Sequence, residues 1–154
     1  MLLNNQLDSA AYYIRLAKKS PDVSGPAVST VIFQTEAQYN IQLGAFEEAD
    51  SLLQKCRQLI NENNLPVNAA SGILAPDYYL AQLRIKQNRL PEAIDLLSKD
   101  IDRLLNNRVF ILRDYKLIAE LYKKMGKGNE SSAAYAIYVT MLDSLQADQD
   151  KFRS

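Results

Sequence analysis

Residues 122–135, YKKMGKGNESSAAY, contain the residue types that grip a phosphate: two glycines, a lysine between them and a pair of serines. A phosphate-binding loop of the GxxxxGK[ST] kind follows a buried strand, so that backbone N–H groups and a helix N-terminus converge on the anion. Here Lys127 stands between Gly126 and Gly128 with no Ser or Thr directly after it. The preceding residues, LIAELYKKM, follow a helical pattern. The spacing therefore predicts a turn between two helices, with a nucleotide loop as the weaker alternative.

Other chemistry is thinly supplied. The 154 residues include no histidine, which removes the commonest general base, the commonest metal ligand and the His-activated nucleophiles. The single cysteine, Cys56, can form neither an internal disulfide nor a CxxC site, and its simplest role is that of a small buried apolar residue. The acidic pairs Asp100/Asp102 and Asp148/Asp150 lack the glycine and downstream glutamate of a calcium loop, so neither a metal nor a cofactor is expected. Glu47 and Glu48 fall in the first turn of an expected helix, where the helix dipole stabilises carboxylates without any catalytic role. No catalytic residue is assigned, and the chain reads as a non-enzyme.

Charge narrows the partners. Eighteen Lys and Arg balance eighteen Asp and Glu, so no global field draws the chain to nucleic acid or an anionic membrane. Lys116, Lys123, Lys124 and Lys127 form a basic cluster on or just after one helix, read either as a solvated face or as the edge of a binding surface. The longest apolar run, AAYAIYVTML over 133–142, is half of the roughly 20 residues a spanning helix needs. The opening MLLNNQLDSAAYY has no basic n-region and no clear h-region, so it does not read as a signal peptide.

The elements that must position these residues are helices. Apolar residues at i, i+3, i+4 and i+7 run through seven segments: 7–19, 27–43, 46–63, 73–87, 91–106, 109–125 and 130 to about 149. Gly44, Asn88 and Gly126 stand just past periodic stretches, where a left-handed residue closes a helix, and Pro91 suits a first helical turn. The Asn-rich break 61–72 contains Pro66 and reads as an extended connection between hairpins. Strand-like alternation is absent, and short connections imply antiparallel neighbours.

The segments repeat. LGAFEEADSLL (43–53), QNRLPEAIDLL (87–97) and MGKGNESSAAY (125–135) share a Gly or Asn turn followed by a small residue: Ala49, Ala93 and Ser131. Twelve residues upstream of these stand Ala37, Ala81 and Ala119. Four residues downstream are Leu53, Leu97 and Tyr135, and seven downstream are Cys56, Asp100 and Tyr138. Small residues let two helices approach closely while the large ones fill the groove beside them. Tyr122, Tyr135 and Tyr138 fall on interior positions; Tyr78 and Tyr12 are less constrained.

On these residues the chain resembles the tetratricopeptide repeat family. NRLPEAIDLL in the middle copy, and Tyr115, Ile118, Ala119, Tyr122 and Gly126 in the third, match the family's spacing most closely. A half copy opens the chain, with Asn5 as its turn, Ala10 as its small residue and Pro21 near its closing proline, which suggests a piece of a longer protein. The copies are spaced 44 and 38 residues apart, beyond the family's roughly 34. Asn40, Arg84 and Asp100 stand where the family keeps aromatic or small residues.

The resemblance implies one all-α domain over 1–154, an α-α superhelix of about seven helices. It would comprise a half repeat over 1–24 and repeats over 25–64, 72–106 and 109–150. First helices would line a concave surface carrying Gln34, Gln38, Ile41, Tyr78, Gln82, Ile85, Lys116, Glu120 and Lys123. Such a surface, amide-rich with one aromatic, suits an extended protein or peptide segment. It lacks the Lys/Asn/Arg set with which some family members grip a C-terminal carboxylate.

The run SAAYAIYVTMLDSLQADQDKF, through Tyr135, Tyr138, Leu142, Asp143, Ser144 and Leu145, is similar to the last repeat of Bacteroidetes proteins that join such repeats to a histidine kinase or DNA-binding regulator. That likeness implies a sensor or interaction region, periplasmic if part of a membrane kinase and otherwise cytoplasmic. The alternative is a structural scaffold that forms a homodimer and leaves its groove idle.

Overall fold

The computed structural model describes residues 11, 15, 25–66, 74–104 and 107–153. Among them every regular element is an α-helix: α1 Pro26–Leu43, α2 Phe46–Asn63, α3 Pro76–Lys86, α4 Leu90–Leu104, α5 Arg108–Lys124 and α6 Gly128–Lys151. The all-α expectation is met, with six helices among the described residues where about seven were expected. The segment expected to form the first, 7–19, lies outside the described residues apart from Ala11 and Arg15, both helical. Asn5, Ala10, Tyr12 and Pro21 lie outside them as well. Internal contacts divide the chain into two compact units, Met1–Leu83 and Arg84–Ser154, with the boundary inside α3.

In the first unit α1 and α2 pack on each other across the two-residue connection Gly44–Ala45. Gly44 has φ 79°, and the N–H groups of Gly44 and Ala45 bond the carbonyls of Ile41 and Asn40 at 3.2 and 2.9 Å. These two bonds close the end of α1 in a Schellman motif. α1 is rich in β-branched residues, which form helices poorly in isolation, so its stability comes from the face it buries. That face is Thr30, Gln34, Ala37 and Ile41, at helical spacing. Thr30 is fully buried because its hydroxyl donates to the Pro26 carbonyl at 2.6 Å, leaving no orphan donor.

Opposite it, α2 buries Ala49, Leu53, Cys56 and Ile60. Asn64 closes α2 at φ 47°, a left-handed position the sequence reading did not single out. α3 begins at Pro76 instead of 73, because the ring disfavours helical geometry in the preceding residue while suiting the first helical position itself.

The second unit packs α4 on α5 and α5 on α6. Leu90, Ala93, Ile94, Leu97, Asp100 and Leu104 form one buried stripe of α4 at periods of three and four. Asn88, at φ 58°, holds the turn before α4: its N–H bonds the Ile85 carbonyl at 3.0 Å and the N–H of Arg89 bonds Arg84 at 2.8 Å. Pro91 sits in the first turn of α4, as expected. α6 buries Ser131 and Ala134 near its start, after which Ile137 and Val139 are 43% and 50% exposed.

All six small repeat positions are interior. Ala37, Ala49, Ala81, Ala93 and Ala119 are 0% exposed and Ser131 is 5% exposed. Ser131 differs from the alanines by a hydroxyl, which donates to the Ala119 carbonyl at 2.8 Å and so ties α6 to α5 where the two small residues meet.

Candidate functional site

At residues 124–131 the backbone settles which chemistry the glycine-rich stretch can do. Gly126 has φ 75°, and its N–H bonds the Lys123 carbonyl at 3.0 Å. The N–H groups of Met125 and Lys127 bond Leu121 and Tyr122 at 3.0 and 2.9 Å. The amides of 125–127 are therefore turned onto the end of α5 in a Schellman motif, where none converges on an anion. The element before them is a helix, and α6 opens with Glu130 in its first turn, a carboxylate that repels phosphate. The stretch is an inter-helix turn.

The thiol of Cys56 is equally remote from chemistry. It is 0% exposed, its Sγ–H donates to the Thr30 carbonyl at 3.4 Å, and burial pushes its pKa up to about 12. A thiolate, the reactive form, is therefore scarce at neutral pH.

The nine residues carried over from the repeat resemblance have unequal fates. In the first unit Gln34 and Ile41 are buried, at 3% and 5% exposure. The Gln34 Oε1 accepts the Ala75 N–H at 2.9 Å, satisfying a backbone donor just ahead of α3. These two side chains serve the interior, because the buried stripe of α1 includes both positions. Gln38, Tyr78 and Gln82 are half-buried, and the Gln82 side-chain amide donates to the Tyr78 hydroxyl at 2.7 Å, one turn along α3. In the second unit Ile85 is half-buried, and Lys116, Glu120 and Lys123 are exposed on α5. Lys124 and Lys127 are exposed too.

The most unusual electrostatic feature is one the sequence reading passed over. Asp100 of α4 and Asp114 of α5 are 1% and 0% exposed, and a single guanidinium serves both. Arg113 Nη2 lies 3.2 Å from Asp100 Oδ2, and Arg113 Nε lies 2.9 Å from Asp114 Oδ1. The same guanidinium carbon is 4.8 Å from the centre of the Phe110 ring, which supports it on one face. Loss of hydration pushes the Asp100 carboxyl up to about 8, helped by its hydrogen bond to Asp114 and by that group's charge; Arg113 and Arg103 pull the other way.

Burial therefore favours the protonated form of Asp100. With no surface a substrate can reach, the cluster ties α4 to α5. One signal was legible in advance, since Asp100 occupies an interior repeat position where the other copies place Cys56 and Tyr138. A third buried acid joins α3 to α2 in the first unit: Asp77, 1% exposed, lies with its Oδ1 3.0 Å from Arg57 Nε.

The class these observations define is an all-α chain of helical hairpins. Against models of known protein families the chain matches none, and a comparison with curated proteins returns no match. No helix among the described residues is long and apolar enough to cross a membrane.

Proposed function

We propose that the chain is a non-catalytic, tetratricopeptide-like module that binds a protein or peptide segment. The observation that carries this reading is the interior placement of all six small residues, spaced twelve apart in three copies. Close helix approach at those positions is what makes such hairpins stack, and stacked hairpins function as recognition surfaces. An extended peptide held through side-chain amides and a tyrosine is the ligand class that Gln38, Tyr78 and Gln82 of the first unit suit. The likeness of the C-terminal run to bacterial sensor proteins favours a role in signalling, with α6 as the connector to an output domain.

An immobilised peptide library tests this. Binding is expected, and Gln38→Ala and Gln82→Ala are each expected to weaken it several-fold, in line with about 1 kcal/mol per lost hydrogen bond. A library that yields no binder, or binders indifferent to both substitutions, rejects the assignment.

A further inference from the structure

The three helices of the second unit enclose a groove of about 370 Å³ whose lining includes none of the nine residues discussed above. Its floor is Ile118 of α5, 6% exposed, with the half-buried Tyr115 and Tyr122 one turn to either side. Asp102 of α4 stands on one wall; Glu130 and Ile137 of α6 stand on the other. Ile137 is 43% exposed, so the apolar lining is open to an incoming side chain.

The charges point to the occupant. Among the described residues that line the groove there is no lysine or arginine. Asp102 and Glu130, both exposed, have no ion-pair partner among the described residues, and the Tyr115 and Tyr122 hydroxyls make no hydrogen bond there. The groove thus offers apolar surface, two aromatic rings and two unneutralised carboxylates. Its volume is near the low end of the roughly 300–1,000 Å³ of ligand sites, which suits one or two side chains of a peptide. A cation fits both parts, because carboxylates attract it and ring faces tolerate it.

We propose that this groove is a docking site for a short cationic segment of a partner protein. An apolar side chain enters between Tyr115 and Tyr122, and a neighbouring lysine or arginine pairs with Asp102 and Glu130. The inference goes beyond the binding surface proposed above, since it names different residues and a ligand charge.

The test titrates the full ¹⁵N-labelled chain with a heptapeptide pool that has a central leucine flanked by lysines, and with the same pool carrying glutamates instead. Amide shifts are expected at Ile101, Tyr122 and Ala133, with affinity for the lysine pool at least tenfold higher. D102N/E130Q, which alters exposed side chains only, should abolish that preference; Gln38→Ala and Gln82→Ala should leave it intact, which separates this site from the earlier one. The proposal is overturned by no shift at millimolar peptide, by equal response to both pools, or by shifts located elsewhere. Groove shifts that grow with protein concentration alone also overturn it, because a second copy of the chain would then be the occupant.

Discussion

Burial of Asp100 and Asp114 beside one guanidinium makes the stability of the second unit depend on pH. The carboxyl of Asp100 is raised from 3.8 to about 8 on folding. Between those values the folded chain holds a proton that the unfolded chain has released, so stability falls as pH rises; below about 4 both forms are protonated and the penalty vanishes. The slope from this group is on the order of 1 kcal/mol per pH unit. Urea unfolding followed from pH 5 to 9 should show that decline, levelling above about 8. Asp100→Asn, which mimics the protonated form, should flatten it, whereas an unchanged slope would show that the proton resides elsewhere.

Two kinds of position decide the hairpins at the scale of helices and turns. Gly126 sits at φ 75° with nothing within 4 Å of where a Cβ would lie, so Gly126→Ala adds backbone strain without a clash. The expected cost is about 1–2 kcal/mol. Ser131→Ala removes the bond to the Ala119 carbonyl and should cost about 1 kcal/mol, while Ser131→Leu overfills the crossing and should cost about 1–3 kcal/mol more. Denaturant midpoints of the three variants check the ranking.

These features were legible because each is local. A glycine or asparagine after an apolar-periodic stretch closes a helix through bonds to residues three and five back, and this located Gly44, Asn88 and Gly126 in advance. Asn64 was missed because it stands inside an Asn-rich run, where no single residue is distinguished.

The balanced charge of the whole chain leaves association to surface patches, and the exposed apolar residues include Val109, Ile137, Val139 and Phe152. If the module acts as a receptor for other chains, light scattering over a hundredfold concentration range at pH 8 should give a constant mass of 17.4 kDa. A mass rising toward twice that value favours the dimerising scaffold instead. Raising the salt concentration would then separate the causes, since apolar association strengthens while ion pairing weakens.

By itself the sequence determined the helical class, three of the turns, the small residues at the helix crossings and the lack of histidine chemistry. All of these follow from residue type or from spacings within a few turns of helix. Only the tertiary structure decided which polar groups went inside. Gln34 serves an amide 41 residues away, and Arg113 reaches back 13 residues to Asp100. Desolvation and pairing depend on what lies across the contact between helices, which periodicity along one helix cannot record. For the same reason Gln34 and Ile41 moved from an expected binding surface to the core, while Asp102 and Glu130, 28 residues apart in the sequence, came to line one groove.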